Sequence, residues 1–309
     1  MTLVVALGLM VTSIVAPAAA QDEAPTITVG SKDFTESIIL AEIVALMLED
    51  NGFTVERQLN LGGTAVAHEA LVNGEIDIYV EYTGTGLLAI LGQELPESGD
   101  SADASASPAA EGQDAIYDIV KQGYDEEFGL TWLEPWGFNN TYALAVTQET
   151  ADEFGLETIS DLQGVAGDMT FGATQEFLVR PDGLPGLEET YGFEFGNDQG
   201  LDPGLVYSAV DNGDVDVISA FATDGRIPAL GLVLLEDDLS YFPPYHAAPV
   251  VSGELLEQNP EVADILNQLS GQIDDATMAE LNFQVDEGGE QEIDAARAFL
   301  EENGFIGGE

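Results

Sequence analysis

Residues 68–85 read HEALVNGEIDIYVEYTGT, and residues 207–224 read YSAVDNGDVDVISAFATD. Both segments run from a helix-like stretch through an Asn-Gly turn into alternating acidic and aliphatic residues, a pattern that is typical of a strand. Each carries an aromatic residue nine positions after the asparagine, Tyr82 in the first and Phe221 in the second. Generic strand–helix units would share part of this pattern. Its extent favours two similar α/β lobes with equivalent strands that end in an aromatic side chain.

The segments upstream of the two copies also match, with TVGSKDF in residues 28–34 and TFGATQEF in residues 170–177. Between residues 26 and 80 the chain alternates between strand and helix patterns, which is typical of an α/β sheet with crossover helices. Ligands of open α/β sheets bind beyond the carboxyl ends of the strands. Two facing lobes would therefore place Tyr82 and Phe221 on opposite sides of one cleft. The predicted strands are Thr26–Gly30, 53–61 and 75–80, and the predicted helices are Thr35–Asp50 and Thr64–Val72.

The composition argues against several classes of function. The 309 residues include 58 acidic and 6 basic side chains, so the formal net charge is −52. This charge argues against nucleic-acid binding and against a polybasic membrane contact. The chain contains no cysteine, which rules out a disulfide scaffold, a zinc-thiolate site and a thiol nucleophile. No EF-hand loop occurs, so we predict no metal site and no cofactor.

The acidity itself predicts a protein adapted to concentrated salt. Repulsion among so many carboxylates opposes a compact state at low ionic strength, whereas screening shortens to about 3 Å at 1 M salt. The hydrophobic content of 45% is sufficient for packed cores, and the length suggests about two domains.

The first 20 residues, MTLVVALGLMVTSIVAPAAA, predict a cleaved signal peptide. An apolar run is followed by small residues at Ala18, Ala19 and Ala20, although no basic residue precedes the run. We therefore expect a mature chain that starts near Gln21 and is soluble in the periplasm or outside the cell. No cysteine follows to carry a lipid anchor. A low-complexity stretch near residues 95–113 predicts a flexible insert.

Four aromatic residues stand at the ends of segments, where packing alone does not require them: Tyr82, Tyr142, Phe221 and Tyr245. Aromatic rings attract a quaternary ammonium group, because the ring quadrupole stabilises a cation that cannot donate hydrogen bonds. For any single ring, ordinary packing is the plainer interpretation. As a set, the four rings predict a cage for an alkylated cation.

The scarcity of basic residues makes two of them informative. Lys32 in GSKDF and Arg180 in VRPDG lie just after matching strand patterns. In so acidic a chain, we interpret them as partners for an anion. The TGTG of residues 83–86 precedes an apolar run and could open a helix whose backbone amides face an anion. A cation cage beside an anion clamp would suit a zwitterion.

With these residues in place, the sequence resembles the glycine betaine/choline-binding proteins of osmoprotectant ABC importers, which are periplasmic substrate-binding proteins. The resemblance extends over residues 26–305 and rests on specific motifs. They are VGSKDFTESIILAEIVALMLEDNGF (29–53), LGGTAVAHEALVNGEIDIYVEYTGTG (61–86), YALAV (142–146), EFLVRPDGLP (176–185), YGFEF (191–195) and the PPY of residues 243–245.

The resemblance implies a two-lobed periplasmic-binding-protein fold of type II, with two hinge crossings and the ligand between the lobes. We expect lobe one to comprise residues 26–139 and 246–309, and lobe two residues 140–245. The implied cage consists of the positions of Tyr82, Tyr142, Phe221 and Tyr245. The implied carboxylate site consists of Lys32, Thr85 and Arg180. Phe221 departs from the family, which commonly has tyrosine there.

The implied function is that of an extracytoplasmic receptor, expected to be monomeric, that delivers glycine betaine to an ABC permease. A preference for choline or carnitine remains an alternative, although an acidic residue in place of Thr85 would suit choline better. An enzyme or a sensor domain on the same fold is a further alternative. Against catalysis, the chain has no G-x-S-x-G motif and only two histidines. We interpret His68 as a packing residue and His246 as a loop residue near the cleft.

Overall fold

The computed structural model describes residues 26–96 and 108–307, with side chains placed in the second range from residue 115 onward. The predicted signal peptide and most of the predicted insert lie outside these residues. In the described part, the strands are β1 (Thr26–Gly30), β2 (Thr54–Gln58), β3 (Ile78–Tyr82), β4 (Leu130–Trp132), β5 (Tyr142–Thr147), β6 (Thr170–Thr174), β7 (Asn197–Leu201), β8 (Val217–Phe221), β9 (Leu232–Leu235) and β10 (Ala247–Ser252).

Helices connect and cover these strands. They are α1 (Thr35–Asp50), α2 (Thr64–Val72), α3 (Thr83–Thr85), α4 (Pro108–Phe128), α5 (Gln148–Phe154), α6 (Leu184–Tyr191), α7 (Val206–Asp211), α8 (Arg226–Leu230), α9 (Gly253–Gln258), α10 (Glu261–Leu266), α11 (Asp275–Asp286) and α12 (Glu292–Glu302). A π-helical turn, Gly86–Ile90, continues α3, and short 3-10 turns lie at Ile159–Gly164, Ala166–Asp168, Pro203–Leu205 and Asn267–Leu269.

The strands form two five-stranded sheets with the same arrangement of parallel and antiparallel strands, although the fourth strand comes last along the chain in the first sheet and first in the second. The strand order is β2-β1-β3-β10-β4 in the first sheet and β7-β6-β8-β5-β9 in the second. In each sheet the first three strands in this order are parallel, and the fourth strand is antiparallel to the third. The prediction of two similar α/β lobes from the internal repeat is therefore confirmed.

The chain passes between the two sheets twice. After β4 it leaves the first sheet to build the second, and it returns as β10. The two crossings run side by side, since Asn139 and His246 form an antiparallel bridge. Tyr82 pairs with Ala247 at one end of the first sheet, and Phe221 pairs with Tyr142 at the corresponding end of the second.

Each copy of the repeat contains an aspartate that contacts the backbone of the neighbouring parallel strand. Asp77 accepts a hydrogen bond from the backbone N–H of Thr28 at 2.7 Å, and Asp216 accepts one from Thr170 at 2.8 Å. Each carboxylate thus bonds to the backbone of the neighbouring parallel strand, at the third residue of β1 and at the first residue of β6. Because the turn that carries this contact occupies residues up to Asp77, the strand predicted at 75–80 lies at Ile78–Tyr82 instead. The strand predicted at 53–61 is shorter and corresponds to β2.

Burial explains why the central elements are so apolar. All five residues of β3 are buried, as expected for a central strand that is covered on both faces. In α1, twelve of the sixteen residues are buried, so the helix lies inside lobe one, where it packs against α11 and α12. The buried first turn of α1 carries the carboxylate of Glu36 into the interior.

Candidate ligand-binding site

The seven residues predicted from the sequence line a single cavity of about 290 Å³ between the lobes. Lobe one supplies side chains from the end of β3 and from the loop after β1. Lobe two supplies the end of β8, the start of β5 and the loop after β6. Lys32, Tyr82, Thr85, Tyr142, Arg180, Phe221 and Tyr245 all belong to the cavity wall.

Three of the four predicted cage rings are in contact. The ring centroid of Tyr142 lies 5.0 Å from that of Phe221 and 5.4 Å from that of Tyr245, and the second pair is edge-on. Tyr82, Tyr142 and Tyr245 are each at most 9% exposed. Burial raises the pKa of all three phenols, so they remain neutral hydrogen-bond donors. The arrangement presents ring faces and edges in a nearly dry cavity.

A fifth ring, which the sequence reasoning missed, stands between the lobes. Phe34 is stacked on Phe221 with centroids 5.5 Å apart, and its centroid is 6.2 Å from that of Tyr82. The internal repeat contained a signal for it, because Phe34 matches Phe177 in the second copy. Phe177 is fully buried in lobe two, 4.9 Å from Tyr142, and does not line the cavity.

Lys32 is held beneath the cage by a buried carboxylate. Its Nζ lies 2.6 Å from Oε1 of Glu81 and 3.0 Å from the hydroxyl of Thr64. Glu81 is fully buried and also accepts hydrogen bonds from the Tyr79 hydroxyl and the Tyr82 backbone N–H. The Lys32 ammonium therefore enters the cavity already paired.

Arg180 is likewise paired within its own lobe. Asp182 accepts hydrogen bonds from Nε of Arg180 at 2.7 Å and from Nη2 of Arg180 at 2.5 Å. The Nε/Nη2 edge of the guanidinium is therefore occupied. Nη1 donates to the Tyr142 hydroxyl and to Glu176. Asp182 also accepts a hydrogen bond from the Tyr245 hydroxyl at 2.8 Å. With the contact to Thr85, all five N–H groups of Arg180 have protein acceptors, so an anionic ligand would have to displace a neutral one such as the Thr85 hydroxyl.

Polar contacts join the lobes around the cavity. Nη2 of Arg180 donates to the Thr85 hydroxyl at 3.1 Å, and Glu176 accepts the backbone N–H of Thr64 at 3.1 Å. Burial would raise the pKa of Glu176, but the charges of Lys32 and Arg180 outweigh it and hold the pKa below its usual value. Glu176 is therefore ionised. The two lobes are in contact through these hydrogen bonds.

Neither histidine lines this cavity. His68 packs edge-on against Tyr124 and Phe128, with centroids 5.4 and 4.7 Å away. Nδ1 of His246 lies 3.1 Å from the carbonyl oxygen of Phe138 in the crossing segment. Among the described residues, no group of three or more histidine, aspartate or glutamate side chains could hold a metal ion.

Fold and cavity together define a class of protein: a two-lobed α/β binding protein of the periplasmic type II fold, with a small-molecule site between the lobes. The family model described as the substrate binding domain of ABC-type glycine betaine transport systems matches residues 25–302. The chain belongs to this family.

Relatives and solved structures agree with that membership. The chain is 36% identical over 286 residues to the carnitine transport binding protein OpuCC of Listeria monocytogenes, covering 92% of this chain and 88% of that one. It is 38% identical over 300 residues to a glycine-betaine-binding protein of Pseudomonas aeruginosa, covering 94% and 91%. A crystal structure described as a glycine betaine/carnitine/choline ABC transporter superposes with a TM-score of 0.70 at 33% identity, covering 90% of this chain and 99% of that one.

Proposed function

We propose that this protein is a receptor for a zwitterionic quaternary ammonium compound, glycine betaine above all, which it delivers to an ABC permease. One observation carries the proposal: five aromatic side chains and two buried cationic side chains from both lobes line the same cavity. Aromatic ring faces favour a methylated cation, and the basic groups favour an attached carboxylate.

The geometry suggests how such a ligand would lie. The trimethylammonium group contacts the rings of Tyr82, Tyr142, Phe221 and Tyr245. The carboxylate points toward the Lys32 ammonium, the Thr85 hydroxyl and the Arg180 N–H group that Thr85 now accepts. Since Thr85 and Arg180 come from different lobes and already touch, a carboxylate bound there would bridge the lobes.

Choline is the second candidate, and the charges around the cavity favour it. Lys32 and Arg180 are each neutralised by a buried carboxylate, Glu81 and Asp182 respectively. Asp33 and Glu176 also belong to the cavity wall, so four carboxylates accompany the two basic side chains. A ligand with a net positive charge would gain from this surplus, whereas a zwitterion would gain less.

The remaining functional expectations accompany the proposal. The receptor acts outside the cytoplasm and is not an enzyme. Among the described helices, none is long and apolar enough to cross a membrane. Lobe one is proposed to comprise residues 26–139 and 246–309, and lobe two residues 140–245, as the division of the strands between the two sheets supports.

Calorimetric titration tests the proposal. Purified protein in molar salt is titrated with glycine betaine, choline and carnitine, and the recovered ligand is analysed. We expect saturable binding of at least one of the three, with the ligand recovered unchanged. Absence of binding by all three would refute the receptor assignment, and chemically altered ligand would indicate an enzyme.

A further inference from the structure

The carboxylate of Glu36, in the first turn of α1, lies beneath the cage and is 3% exposed. It forms no ion pair with any described lysine or arginine. Instead, it accepts four hydrogen bonds from neutral side chains. Its partners are the Tyr82 hydroxyl at 2.7 Å, the Asn140 amide at 2.8 Å, the Thr223 hydroxyl at 2.5 Å and the Asn282 amide at 3.0 Å.

These four donors come from four different parts of the molecule. Tyr82 is a ring of the proposed cage, and Asn140 lies in the first crossing between the lobes. Thr223 follows β8 in lobe two, and Asn282 lies in α11 beside lobe one. One carboxylate therefore contacts the cage, the hinge region and both lobes.

Burial of Glu36 in this arrangement lowers the stability of the fold. Burial raises the pKa of the Glu36 carboxyl, although the four hydrogen bonds oppose the shift. Both amides turn their N–H groups toward Glu36, which leaves the buried Oδ1 atoms of Asn140 and Asn282 without a described hydrogen-bond donor. An unpaired buried polar atom is destabilising. Stability alone gives no reason to keep a carboxylate at this position.

A second cavity of about 200 Å³ lies behind the cage and is lined by Glu36 together with Asn140, Thr223 and Asn282. Phe34 and Phe221 line both this cavity and the proposed ligand cavity. Opening of the lobes would remove the Thr223 donor from Oε2 of Glu36, while the Tyr82 hydroxyl donates to Oε1 of the same carboxylate. The orientation of the Tyr82 ring and the position of lobe two thus depend on the same group.

We infer that Glu36 is a positioning residue of the ligand site, which couples the orientation of the Tyr82 ring to the closure of lobe two through Thr223. The inference rests on the proposed function, because it concerns the affinity of that same site. Glu36 does not line the proposed ligand cavity, so it acts on every ligand through Tyr82 and Thr223.

The test compares Glu36→Gln with Glu42→Gln. Glu42 is a buried carboxylate on the same helix, but it pairs with Arg57 on the far side and does not line either cavity. Glycine betaine and choline are titrated into wild type and both variants. We expect Glu36→Gln to weaken both ligands by the same factor, about tenfold or more, as for the loss of hydrogen bonds to a charged group. Glu42→Gln should bind like wild type.

Lobe closure supplies a second readout. The chain has no cysteine, so Val66→Cys and Val179→Cys, at exposed sites on opposite lobes, allow specific spin labelling in all three backgrounds. We expect a longer and broader distance distribution in Glu36→Gln than in Glu42→Gln, with or without ligand. If wild type binds neither ligand, the proposed function fails, and the ligand-free distances alone then decide the role of Glu36.

A double-mutant cycle keeps the inference testable if Glu36→Gln does not fold. Tyr82→Phe and Thr223→Val each remove one donor and leave the carboxylate in place. We expect their combined effect on betaine affinity to differ from the sum of the single effects. Additive effects, wild-type behaviour of Glu36→Gln, or a loss confined to one ligand would each overturn the inference.

Discussion

At the residue scale, the pairing of Arg180 with Asp182 changes what the guanidinium can offer a ligand. Asp182 occupies the bidentate face, and the Tyr142 and Thr85 hydroxyls take further N–H groups. Removal of Arg180 alone would leave a buried carboxylate unpaired, which is strongly destabilising in its own right. A test of the proposed carboxylate contact must therefore change both partners.

The double substitution Arg180→Gln with Asp182→Asn removes both charges and retains similar shapes. We expect glycine betaine to bind about 10- to 100-fold more weakly, as for the loss of a charged hydrogen bond. Choline has no carboxylate, so its affinity should change much less. Titration of both ligands measures the difference, with Arg57→Gln as the control for loss of an arginine outside the cleft. Equal losses for the two ligands would refute the carboxylate contact.

Substitutions of Phe221 test the proposed aromatic cage. The ring lies against Tyr142 and Phe34, and its proposed contribution is the aromatic face. Phe221→Tyr should therefore bind quaternary ammonium ligands nearly as wild type does. Phe221→Ala should weaken all of them by about tenfold, because a cation–π contact contributes about 0.5–2 kcal/mol. Normal binding by the alanine variant in a calorimetric titration would exclude Phe221 from the site.

The sequence predicted seven of the side chains that line the cavity, but it missed Phe34 and did not show how the charged groups are paired. Tyr82 and Phe221 follow strands whose pattern repeats, and Lys32 and Arg180 are conspicuous among so few basic residues. The roles of Glu36, Glu81 and Asp182 arise only from tertiary contacts. For example, Glu36 accepts a hydrogen bond from Asn282, which is 246 positions away in the sequence. From sequence, Glu36 resembled an ordinary acidic residue in the first turn of a helix.

At the scale of elements, the repeat predicted two similar sheets, and the structure contains two with the same arrangement of three parallel strands and an antiparallel fourth. Strand boundaries were less predictable, because the backbone contacts of Asp77 and Asp216 depend on the neighbouring strand. The junction between β3 and α3 is tightly packed at the site. A Cβ at Gly84 would lie 2.7 Å from the ring of Tyr245 and 2.9 Å from the carbonyl oxygen of Pro244.

Gly84→Ala therefore distinguishes packing from helix propensity. Propensity alone would make alanine more stable than glycine within a helix by about 1 kcal/mol. We expect the opposite, a lower melting temperature and weaker betaine binding, because the methyl group displaces Tyr245. Gly164→Ala, where a Cβ would contact nothing within 4 Å, is the control. A Gly84→Ala variant with unchanged melting temperature and affinity would contradict this account.

At the scale of the whole molecule, the net charge of −52 predicts that stability depends on salt. Screening weakens repulsion between all carboxylates, whereas ligand stabilises only the conformation that binds it. Saturating ligand, at about 100 times its dissociation constant, should add about 2.7 kcal/mol at any salt concentration that permits folding.

Thermal melts across a salt series, each with and without betaine, separate the two contributions. We expect the melting temperature to rise with salt, and to rise further with ligand at each salt concentration. A melting temperature that is the same in dilute buffer and in about 2 M salt would contradict the interpretation of the acidic composition.

The central claim is that an aromatic cavity between the lobes selects a fully methylated ammonium group. The most direct measurement is a set of calorimetric titrations with glycine betaine, dimethylglycine, sarcosine and glycine at one molar salt concentration. These ligands share the carboxylate and differ in the number of N–H donors that must leave water to enter a ring-lined cavity. The account predicts tightest binding for glycine betaine and a steady loss of affinity as each methyl group is removed. Equal affinity across the series, or tighter binding of glycine, would contradict it.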